Sequence, residues 1–418
     1  MIDEKELKIS KYCRVLQRDD LVILCNIQYG NTIKISRECW EIIENNIKNY
    51  TIDEILNATA DEEDRVYMKN LIENCISAKI LVKNEEDTDD IESIDFIITN
   101  RCNLQCIHCC ANAETAVGKD ILTTDIIKKI ADEILTLNLK NIVITGGEPM
   151  LRDDFFEIAN YIRDRFSGNM ILMSNGLLIS NKNVDEIIRI FDAIDLSLDG
   201  YDEESCSKIR GKGVFTKVVN VVNLLIEKGF ESNKISLSMV ETAYTYDTKK
   251  FIELNKKLGT TPSIRLFTPI GRGKINNEKL NINTVKEIKN NVVENDINII
   301  QKKIPPCRTC AAGEHKISIN HKGEIYPCIL LNYPKYCLGN VFKIDNLKEY
   351  LAKKLYKKTK EYENLKNITP ECRNECSKCD VSTFCIYCLA DMHRYIEDNM
   401  LDKVCKMKKL EWNGIWEE

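Results

Sequence analysis

The sequence has no apolar run of the roughly 18–20 residues that a helix needs to cross a bilayer. Its first residues, Met1 to Lys5, lack the basic-then-apolar layout of a secretory signal peptide. Positive charge is not in excess, because 59 Lys and Arg stand against 65 Asp and Glu, for a net charge of −6. These absences exclude a membrane span and give no reason to expect nucleic-acid binding. They predict a soluble, cytoplasmic protein.

Cysteine is abundant, with 19 in 418 residues. Four crowd into Cys102–Cys110, and ten lie between Cys307 and Cys405. Disulfides belong to oxidising compartments, and gaps of two or three residues suit metal or iron–sulfur ligation better than a covalent framework. The cysteines therefore predict iron–sulfur or zinc sites in a reducing compartment.

Three regions and a linker separate along the chain. Residues 1–83 carry three short strand-like runs followed by three helical patterns. The acidic residues 84–92 predict a solvated linker. Residues 93–303 alternate strand and helix, and residues 304–418 form a cysteine-rich C-terminal region. We expect these four segments to be the domains and the linker of the chain.

The six β-then-α units of residues 93–303 require parallel strands joined by right-handed crossovers. Periodicity alone allows a doubly wound sheet or a barrel, complete or partial. Polar motifs follow four successive strands, and βα-barrels gather their chemistry at the carboxyl ends of strands. We therefore predict an α/β fold with a partial (β/α)6 TIM-like barrel. Its predicted strands are Ile94–Thr99, Asn141–Thr145, Met170–Ser174, Ala193–Leu198, Lys234–Val240 and Ser263–Thr268, and its helices include Thr124–Leu137, Phe155–Phe166, Val184–Phe191, Phe215–Lys228 and Thr248–Leu258.

The first strand is followed by Cys102-x3-Cys106-x2-Cys109. Three thiolates on one short loop can hold three irons of a [4Fe–4S] cube and leave the fourth iron open, whereas a zinc site is the alternative. With Gly146-Gly147-Glu148-Pro149 after the second strand, this loop resembles the signature of the radical SAM superfamily. The resemblance implies that S-adenosylmethionine (SAM) chelates the open iron. His108 stands where the family usually has an aromatic residue, and its flat imidazole is expected to pack against adenine.

The same resemblance implies a set of cofactor contacts at the strand ends. Two glycines would let the backbone approach the bound methionine, and the Glu148 carboxylate would accept from its ammonium. Arg210 would pair with the methionine carboxylate, with a surface role as the alternative. Asp199 would either contact the cofactor or only shape the turn. The implied cofactor-binding residues are His108, Gly146, Gly147, Glu148, Ser174, Asn175, Ser197, Asp199 and Arg210.

The C-terminal cysteines resemble the SPASM domain, which carries auxiliary iron–sulfur clusters. The resemblance rests on Cys310, Gly323-x4-Cys328, Cys376-x2-Cys379-x5-Cys385-x2-Cys388 and Cys405, although the last gap of the central block is one residue short. It implies two further [4Fe–4S] clusters with four thiolates each, and two zinc ribbons are the alternative. Cys337 or Cys372 could replace Cys307. The implied ligands are Cys307, Cys310, Cys328 and Cys388 for the first cluster, and Cys376, Cys379, Cys385 and Cys405 for the second.

The N-terminal layout resembles the small PqqD-like winged-helix domain, the RiPP recognition element fused to many peptide-modifying radical SAM enzymes. Such a domain would add a leader-peptide strand to its sheet edge. A winged helix could instead bind DNA, but residues 1–92 hold 12 Lys and Arg against 21 Asp and Glu, a net charge of −9. That charge is unfavourable beside phosphate.

Together these resemblances imply a maturase of ribosomally made peptides that uses a 5′-deoxyadenosyl radical to abstract hydrogen and form a crosslink. A Cys thioether is the favoured product, and a carbon–carbon crosslink is the alternative. The implied partners are a precursor peptide with its leader and a low-potential electron donor of the flavodoxin or ferredoxin type. Other candidates are a sulfatase-activating formylglycine former, a quinone-cofactor maturase and a non-enzymatic iron–sulfur regulator.

Overall fold

The computed structural model describes residues 7–83, 90–281, 307, 310–385 and 388–417. The predicted linker therefore lies, over residues 84–89, outside the described residues. Contacts divide the chain into a first unit, Met1–Thr88, Val293–Cys310 and Lys366–Glu418, and a second unit, Asp89–Val292 and Ala311–Leu365. Within the described ranges, no helix is both long enough and apolar enough to span a membrane.

The first unit begins with a three-stranded antiparallel sheet, in which β2 (Cys13–Arg18) pairs with β3 (Leu21–Asn26) and β3 with β4 (Asn31–Ser36). Three helices follow, and the short strand β5 (Leu81–Val82) returns to pair with β1 (Lys8–Ile9). The predicted strands and helices of this region are confirmed, whereas the β1–β5 pair was not predicted. The elements are β1 (Lys8–Ile9), β2 (Cys13–Arg18), β3 (Leu21–Asn26), β4 (Asn31–Ser36), α1 (Arg37–Asn46), α2 (Ile52–Asn57), α3 (Glu62–Ser77) and β5 (Leu81–Val82).

Both faces of this small sheet are covered. One face packs on the three helices around the fully buried Trp40 and Ile43. The opposite face, with Ile23 and Cys25, packs on the C-terminal part of the same unit at Phe384 and Trp416. Local sequence explains where α2 begins. Thr51 and Glu54 form a capping box there, in which each side chain bonds the backbone N–H of the other residue.

The second unit is built on six parallel strands that lie side by side in chain order. Parallel strands that follow one another in chain order without a reversal are typical of a βα-barrel. In a doubly wound sheet, the strand order reverses at a switch point. The predicted partial barrel is therefore confirmed, and its strands and helices agree with prediction within about three residues. The strands are β6 (Ser93–Thr99), β9 (Asn141–Gly146), β10 (Asn169–Ser174), β11 (Ala193–Ser197), β12 (Ile235–Glu241) and β13 (Thr261–Leu266).

Helices connect these strands and cover one face of the sheet. Strand residues on that face, such as Ile94, Phe96 and Leu172, are fully buried. The connecting helices are α4 (Thr124–Ile134), α5 (Phe155–Arg163), α6 (Val184–Ile190), α7 (Glu203–Arg210), α8 (Val214–Glu227) and α9 (Thr248–Leu258). Two short strands, β7 (Arg101–Cys102) and β8 (Glu114–Thr115), pair in the loop after β6.

The sheet is extended at its β6 edge by three strands from later in the chain. β14 (Lys316–Ile319) pairs parallel with β6, and β15 (Glu324–Tyr326) and β16 (Gly339–Asn340) add antiparallel. Short helices complete this unit: α10 (Arg272–Ile275), α11 (Asn277–Leu280), α12 (Leu347–Ala352) and α13 (Lys360–Lys366). The described C-terminal helices of the first unit are α14 (Asn374–Ser377), α15 (Leu389–Glu397) and α16 (Leu401–Trp412).

Candidate functional site

The three cysteines of the first motif lie on the loop that follows β6. Cys102 ends β7 and is buried together with Cys106, whereas Cys109 is half-buried. Backbone N–H groups point at two of the sulfurs, from Leu104 to Cys102 Sγ at 3.4 Å and from Ala113 to Cys109 Sγ at 3.5 Å. Burial raises the pKa of the Cys102 thiol to about 11. Thiolates at this site therefore need a positive partner, which a bound iron would supply.

A buried network of charges stands against Cys106. The Arg210 guanidinium lies with Nη1 3.8 Å from Cys106 Sγ and Nε 2.7 Å from Asp199 Oδ2. His108 Nε2 is 2.7 Å from the same carboxylate oxygen, and the Val240 backbone N–H donates to Asp199 Oδ1 at 2.6 Å. Asp199 therefore holds both the arginine and the histidine that were predicted to contact SAM.

Electrostatics keeps Asp199 and Arg210 of this network ionised. Burial alone would raise the pKa of Asp199, but Arg210 and His108 outweigh it and hold that pKa well below its usual range. Burial would lower the pKa of Arg210, and Asp199 raises it instead. Asp199 also adopts a left-handed backbone conformation, with φ +47°, which is uncommon outside glycine and costs energy. Such strain fits a residue whose side chain must point in one direction.

Glu148 is fully buried and accepts hydrogen bonds from neighbouring strand ends. Ser174 Oγ donates to both carboxylate oxygens at 2.9 and 3.0 Å, and the Asn175 backbone N–H donates at 2.8 Å. The Met150 N–H adds a bond at 3.1 Å, and Glu148 thereby begins the short 3₁₀ turn Pro149–Leu151. Burial raises the pKa of Glu148, against the pull of these donors. The carboxylate thus joins the second and third strand ends.

The two glycines before Glu148 allow two backbones to meet. A Cβ on Gly146 would lie 2.4 Å from the Thr99 carbonyl oxygen, and one on Gly147 would lie 2.4 Å from that of Arg101. Any larger residue would push the end of β9 away from the loop that carries Cys102. The close approach in this structure is therefore to the cysteine loop.

The remaining predicted contacts lie at the same edge of the sheet. Asn175 Nδ2 donates to Asn103 Oδ1 at 2.7 Å and lies 3.9 Å from Cys102 Sγ. Ser197 ends β11, half-buried and paired in register with Ser238 of β12. The carboxyl ends of β6, β9, β10 and β11 thus converge around the three cysteines.

Sequence reasoning did not predict the hydrogen bonds by which Arg272 holds the cysteine loop. Arg272 donates from Nε to the Cys106 carbonyl at 3.1 Å and from Nη1 to the Ala113 carbonyl at 2.7 Å, and its backbone N–H reaches the Cys109 carbonyl at 3.0 Å. Gly271, at φ +56°, permits this approach because a Cβ there would lie 2.5 Å from the Cys109 carbonyl oxygen. The signal was Gly271-Arg272-Gly273 just after the sixth strand.

Arg152 was also missed. Its side chain is 4% exposed, and Nη1 donates to the Ile98 carbonyl at 3.0 Å and to the Leu122 carbonyl at 2.9 Å. Its remaining nitrogens pair with Asp154 at 2.7 and 2.8 Å. Arg152 therefore fixes the end of β6 just before the cysteine loop begins.

In the first unit, the second set of C-terminal cysteines comes together. All four line one cavity of about 280 Å³, together with Pro370, Met392 and other residues. Burial, with a smaller contribution from the neighbouring cysteines, raises the pKa of the Cys385 thiol to about 12. Four thiolates around one space would repel one another, so this cavity fits a group that carries positive charge. The four are Cys376, Cys379, Cys385 and Cys405.

Two cysteines of the first C-terminal set lie close together. Burial is the larger cause that raises the pKa of the Cys388 thiol to about 11, and the neighbouring Cys310 contributes to it. Cys307 is fully buried and directs its thiol at the carbonyls of Asn26 and Asn31, each at 3.4 Å. Of the remaining candidates, Cys328 and Cys337 lie in the second unit, and Cys372 is exposed. Across the described ranges, no three His, Cys, Asp or Glu side chains are arranged to hold a single metal ion.

Comparison with known families identifies two domains. Residues 96–263 match the radical SAM superfamily, and residues 307–380 match SPASM, an iron–sulfur cluster-binding domain. A radical SAM domain is an enzyme domain whose cofactors are SAM and a [4Fe–4S] cluster, and a SPASM domain binds further iron–sulfur clusters. These matches confirm the predicted cofactors and the two domain types.

Known proteins resemble this chain over different extents. The AdoMet-dependent heme synthase of Methanosarcina barkeri is 31% identical over 43% of this chain and 52% of its own length. Mycofactocin maturase MftC of Mycolicibacterium smegmatis is 31% identical over 47% of this chain and 49% of its own length. The chain thus spans about half the length of these curated relatives.

Solved structures of Streptococcus suis SuiB share the fold. SuiB bound to S-adenosylmethionine aligns with a TM-score of 0.53 at 16% identity, over 93% of this chain and 96% of that chain. SuiB bound to its precursor peptide SuiA gives the same TM-score at 15% identity, over 93% and 97% of the two chains. At such identity the likeness concerns the fold.

Proposed function

We propose that this chain, with its radical SAM and SPASM domains, is a peptide maturase that abstracts hydrogen from a ribosomally made precursor peptide and forms a crosslink. The favoured product is a Cys thioether, and a carbon–carbon crosslink is the alternative. The observation that carries the proposal is the convergence of Cys102, Cys106 and Cys109 with Arg210 at the strand ends of the partial barrel. A maturase and a precursor-peptide complex among the similar proteins support it.

The residues at the strand ends fit the cofactors. Cys102, Cys106 and Cys109 would hold a [4Fe–4S] cluster, because the buried thiols of Cys102 and Cys106 need a positive partner to ionise. When bound, the cluster and SAM supply a 5′-deoxyadenosyl radical. Arg210 would orient the methionine carboxylate, and Asp199 would hold the guanidinium in place for it. Glu148, bound to Ser174 and Asn175, would hold the second and third strand ends together at the site.

The auxiliary site that the structure supports best is the cavity lined by Cys376, Cys379, Cys385 and Cys405. Four thiolates fully ligate a cube, which suits electron transfer better than SAM binding. We assign this cluster the removal of the spare electron after the crosslink forms. Cys310 and Cys388 would contribute to the other auxiliary cluster, for which Cys307, Cys328, Cys337 and Cys372 remain the candidates.

The N-terminal sheet is the proposed leader-binding element, as in a PqqD-like domain. Both of its faces are covered, so a leader would add at an edge. A cavity of about 260 Å³ lies beside the edge strand β2, lined by Arg14, Val15 and Leu16 on one side and by Pro370 and Glu371 on the other. We propose that the leader lies along β2.

Two further assignments complete the proposal. A low-potential donor of the flavodoxin or ferredoxin type would deliver the electron that starts the reaction. The tight cysteine clusters suit a reducing compartment, and we propose that the chain works in the cytoplasm.

The test is anaerobic turnover, by the wild type and by Val15→Asp, of any short cysteine-containing peptide that the neighbouring genes encode. Val15 is 36% exposed and lines the β2 cavity, so a charge there should abolish crosslinking yet leave uncoupled 5′-deoxyadenosine formation intact. Val66→Asp, at a 51% exposed site on α3, is the matched control and should keep both activities. Failure of the wild-type enzyme to modify the peptide, while it cleaves SAM, would exclude the peptide-maturase proposal.

A further inference from the structure

The C-terminal helix of the first unit, α16, is positively charged although the chain as a whole is acidic. It holds four lysines against Asp402 and Glu411, a net charge of +2, whereas the whole chain has −6. Lys408 is paired with Glu411 at 2.6 Å. The other three lysines are exposed and form no ion pair within the described ranges, so their charge is available to an acidic partner. These three are Lys403, Lys406 and Lys409.

Two large apolar side chains stand exposed beside these lysines. Met407 is 56% exposed and Leu410 is 78% exposed. Residues 403, 406, 407 and 410 follow the i, i+3, i+4, i+7 spacing that places side chains on one face of a helix. We call this surface of four residues the α16 face. It has an apolar centre bordered by positive charge, as a binding interface has an apolar core and a polar rim.

The α16 face adjoins the cavity that the second set of cysteines lines. Cys405, on the same helix, lines that cavity together with Lys406 and Lys409. Burial raises the pKa of the Cys405 thiol, and Lys409 opposes the rise. Lys406 belongs both to the cavity and to the α16 face, so the exposed face lies at the rim of the cavity. The proposed function gives this cavity a cluster that gives up one electron per crosslink, and an oxidised carrier must come close to take up that electron.

We propose that the α16 face docks a small acidic one-electron carrier protein of the flavodoxin or ferredoxin type. The assignment rests on the proposed function and adds the place on the chain where the carrier binds. Redox encounters between proteins use small interfaces, which two apolar side chains with a charged rim suit. The lysines would steer a negatively charged carrier to this helix. An amphipathic helix that lies in a membrane needs a larger apolar face than Met407 and Leu410 provide.

The test is a change of charge on the α16 face, Lys403→Glu together with Lys406→Glu. The probes are an acidic flavodoxin and an acidic ferredoxin, each titrated anaerobically into reconstituted holoenzyme at low ionic strength, where surface charges are least screened. Kd should rise about tenfold or more, because two attractive charges become repulsive, and its dependence on salt should weaken. The iron content of the double variant should equal that of the wild type, since both lysines are exposed.

Leu410→Ala tests the apolar centre separately. It removes apolar contact but no charge, so Kd should rise about three- to tenfold while its dependence on salt stays that of the wild type. Lys249→Glu together with Lys256→Glu is the matched control for charge, because both lysines are exposed on α9 and the net charge changes equally. Its Kd should stay within about twofold of the wild type, since charges outside the interface act only through a screened field.

Two results would overturn the assignment. One is that the wild type binds neither carrier, and the other is that Kd is the same in the wild type, the double variant and Leu410→Ala. If the double variant instead loses binding to phosphatidylserine vesicles and keeps its Kd for both carriers, the face binds membranes. If the wild type binds a carrier through the α16 face but modifies no peptide from the neighbouring genes, the proposed function fails and the docking surface stands. Peptide modification with an unchanged Kd in the α16 variants has the reverse meaning.

Discussion

Arg272→Met should loosen the loop that carries the three barrel cysteines. The change removes two charged hydrogen bonds, from Nε to the Cys106 carbonyl and from Nη1 to the Ala113 carbonyl. The Ala113 carbonyl loses its donor, whereas the Cys106 carbonyl keeps the Cys109 backbone N–H at 3.3 Å. Each of the two lost hydrogen bonds contributes about 1–2 kcal/mol, so the closed loop loses about 2–4 kcal/mol. A change of about 1.4 kcal/mol corresponds to a tenfold change in an equilibrium constant. The population of the open loop relative to the closed loop should therefore rise roughly 30- to 700-fold. A cluster bound to this loop should then be lost faster.

The assay is the rate at which reconstituted holoenzyme loses iron to a chelator under anaerobic conditions, read beside the EPR spectrum of the reduced cluster with and without SAM. The rate of iron loss from Arg272→Lys should lie between those of Arg272→Met and the wild type. A lysine ammonium can reach one of the two carbonyls, but it lacks the planar guanidinium that donates to both. Lys274→Met removes a positive charge from an exposed site two residues away and serves as the matched control.

The result that would refute this reasoning is specific. If Arg272→Met loses iron at the rate of Lys274→Met and keeps the wild-type EPR response to SAM, the two hydrogen bonds do not hold the loop. A drop in the stability of the whole protein without a change at the cluster would instead show a general packing role. The EPR readout separates these outcomes, because a structural effect elsewhere would not alter the environment of the cluster.

The remaining predictions follow from single contacts. Cys106→Ala should end 5′-deoxyadenosine formation in a chromatographic assay, whereas Cys39→Ala, a half-buried cysteine beside the N-terminal core, should leave it intact. Cys385→Ala should remove about four irons per chain by elemental analysis while the cluster that cleaves SAM remains, and loss of all iron would contradict separate sites. Asp199→Asn should lower the free energy of unfolding by about 3–5 kcal/mol in urea melts, because it leaves the buried Arg210 without its partner, and a loss equal to that of Asp192→Asn, which breaks the more exposed pair with Arg163, would contradict a buried pair.

The fold of the second unit was predictable because its signals are local. Alternating apolar runs set each strand, and 3.6-residue patterns set each helix, so β6 and α9 agree with their predicted bounds closely. The position of the motifs at successive strand ends then indicated a barrel, since parallel strands bring their carboxyl ends together. Four strand ends of the candidate site were found in this way.

The partners of the site residues were not predictable, because they depend on contacts between distant parts of the chain. Arg272 reaches a loop 166 residues earlier, and Glu148 meets Ser174 from 26 residues away. The resemblance to the radical SAM motifs implied that Arg210 binds the methionine carboxylate. It did not indicate that Asp199 holds the guanidinium in place. The position of Cys307 against the N-terminal sheet was equally hidden, since its spacing from Cys310 indicated only a shared cluster.

The contact between Asp199 and Arg210 is compatible with the role that the sequence assigned to the arginine. A guanidinium has five N–H groups in a rigid plane. In the structure, Nε and Nη2 face Asp199 Oδ2 at 2.7 and 2.6 Å, and Nη1 faces Cys106 Sγ at 3.8 Å. These contacts use three N–H groups and leave two for a carboxylate. Asp199 therefore fixes the plane of the guanidinium beside the cysteine loop, and a lysine at position 210 could not serve the carboxylate, the sulfur and a bound methionine from one direction.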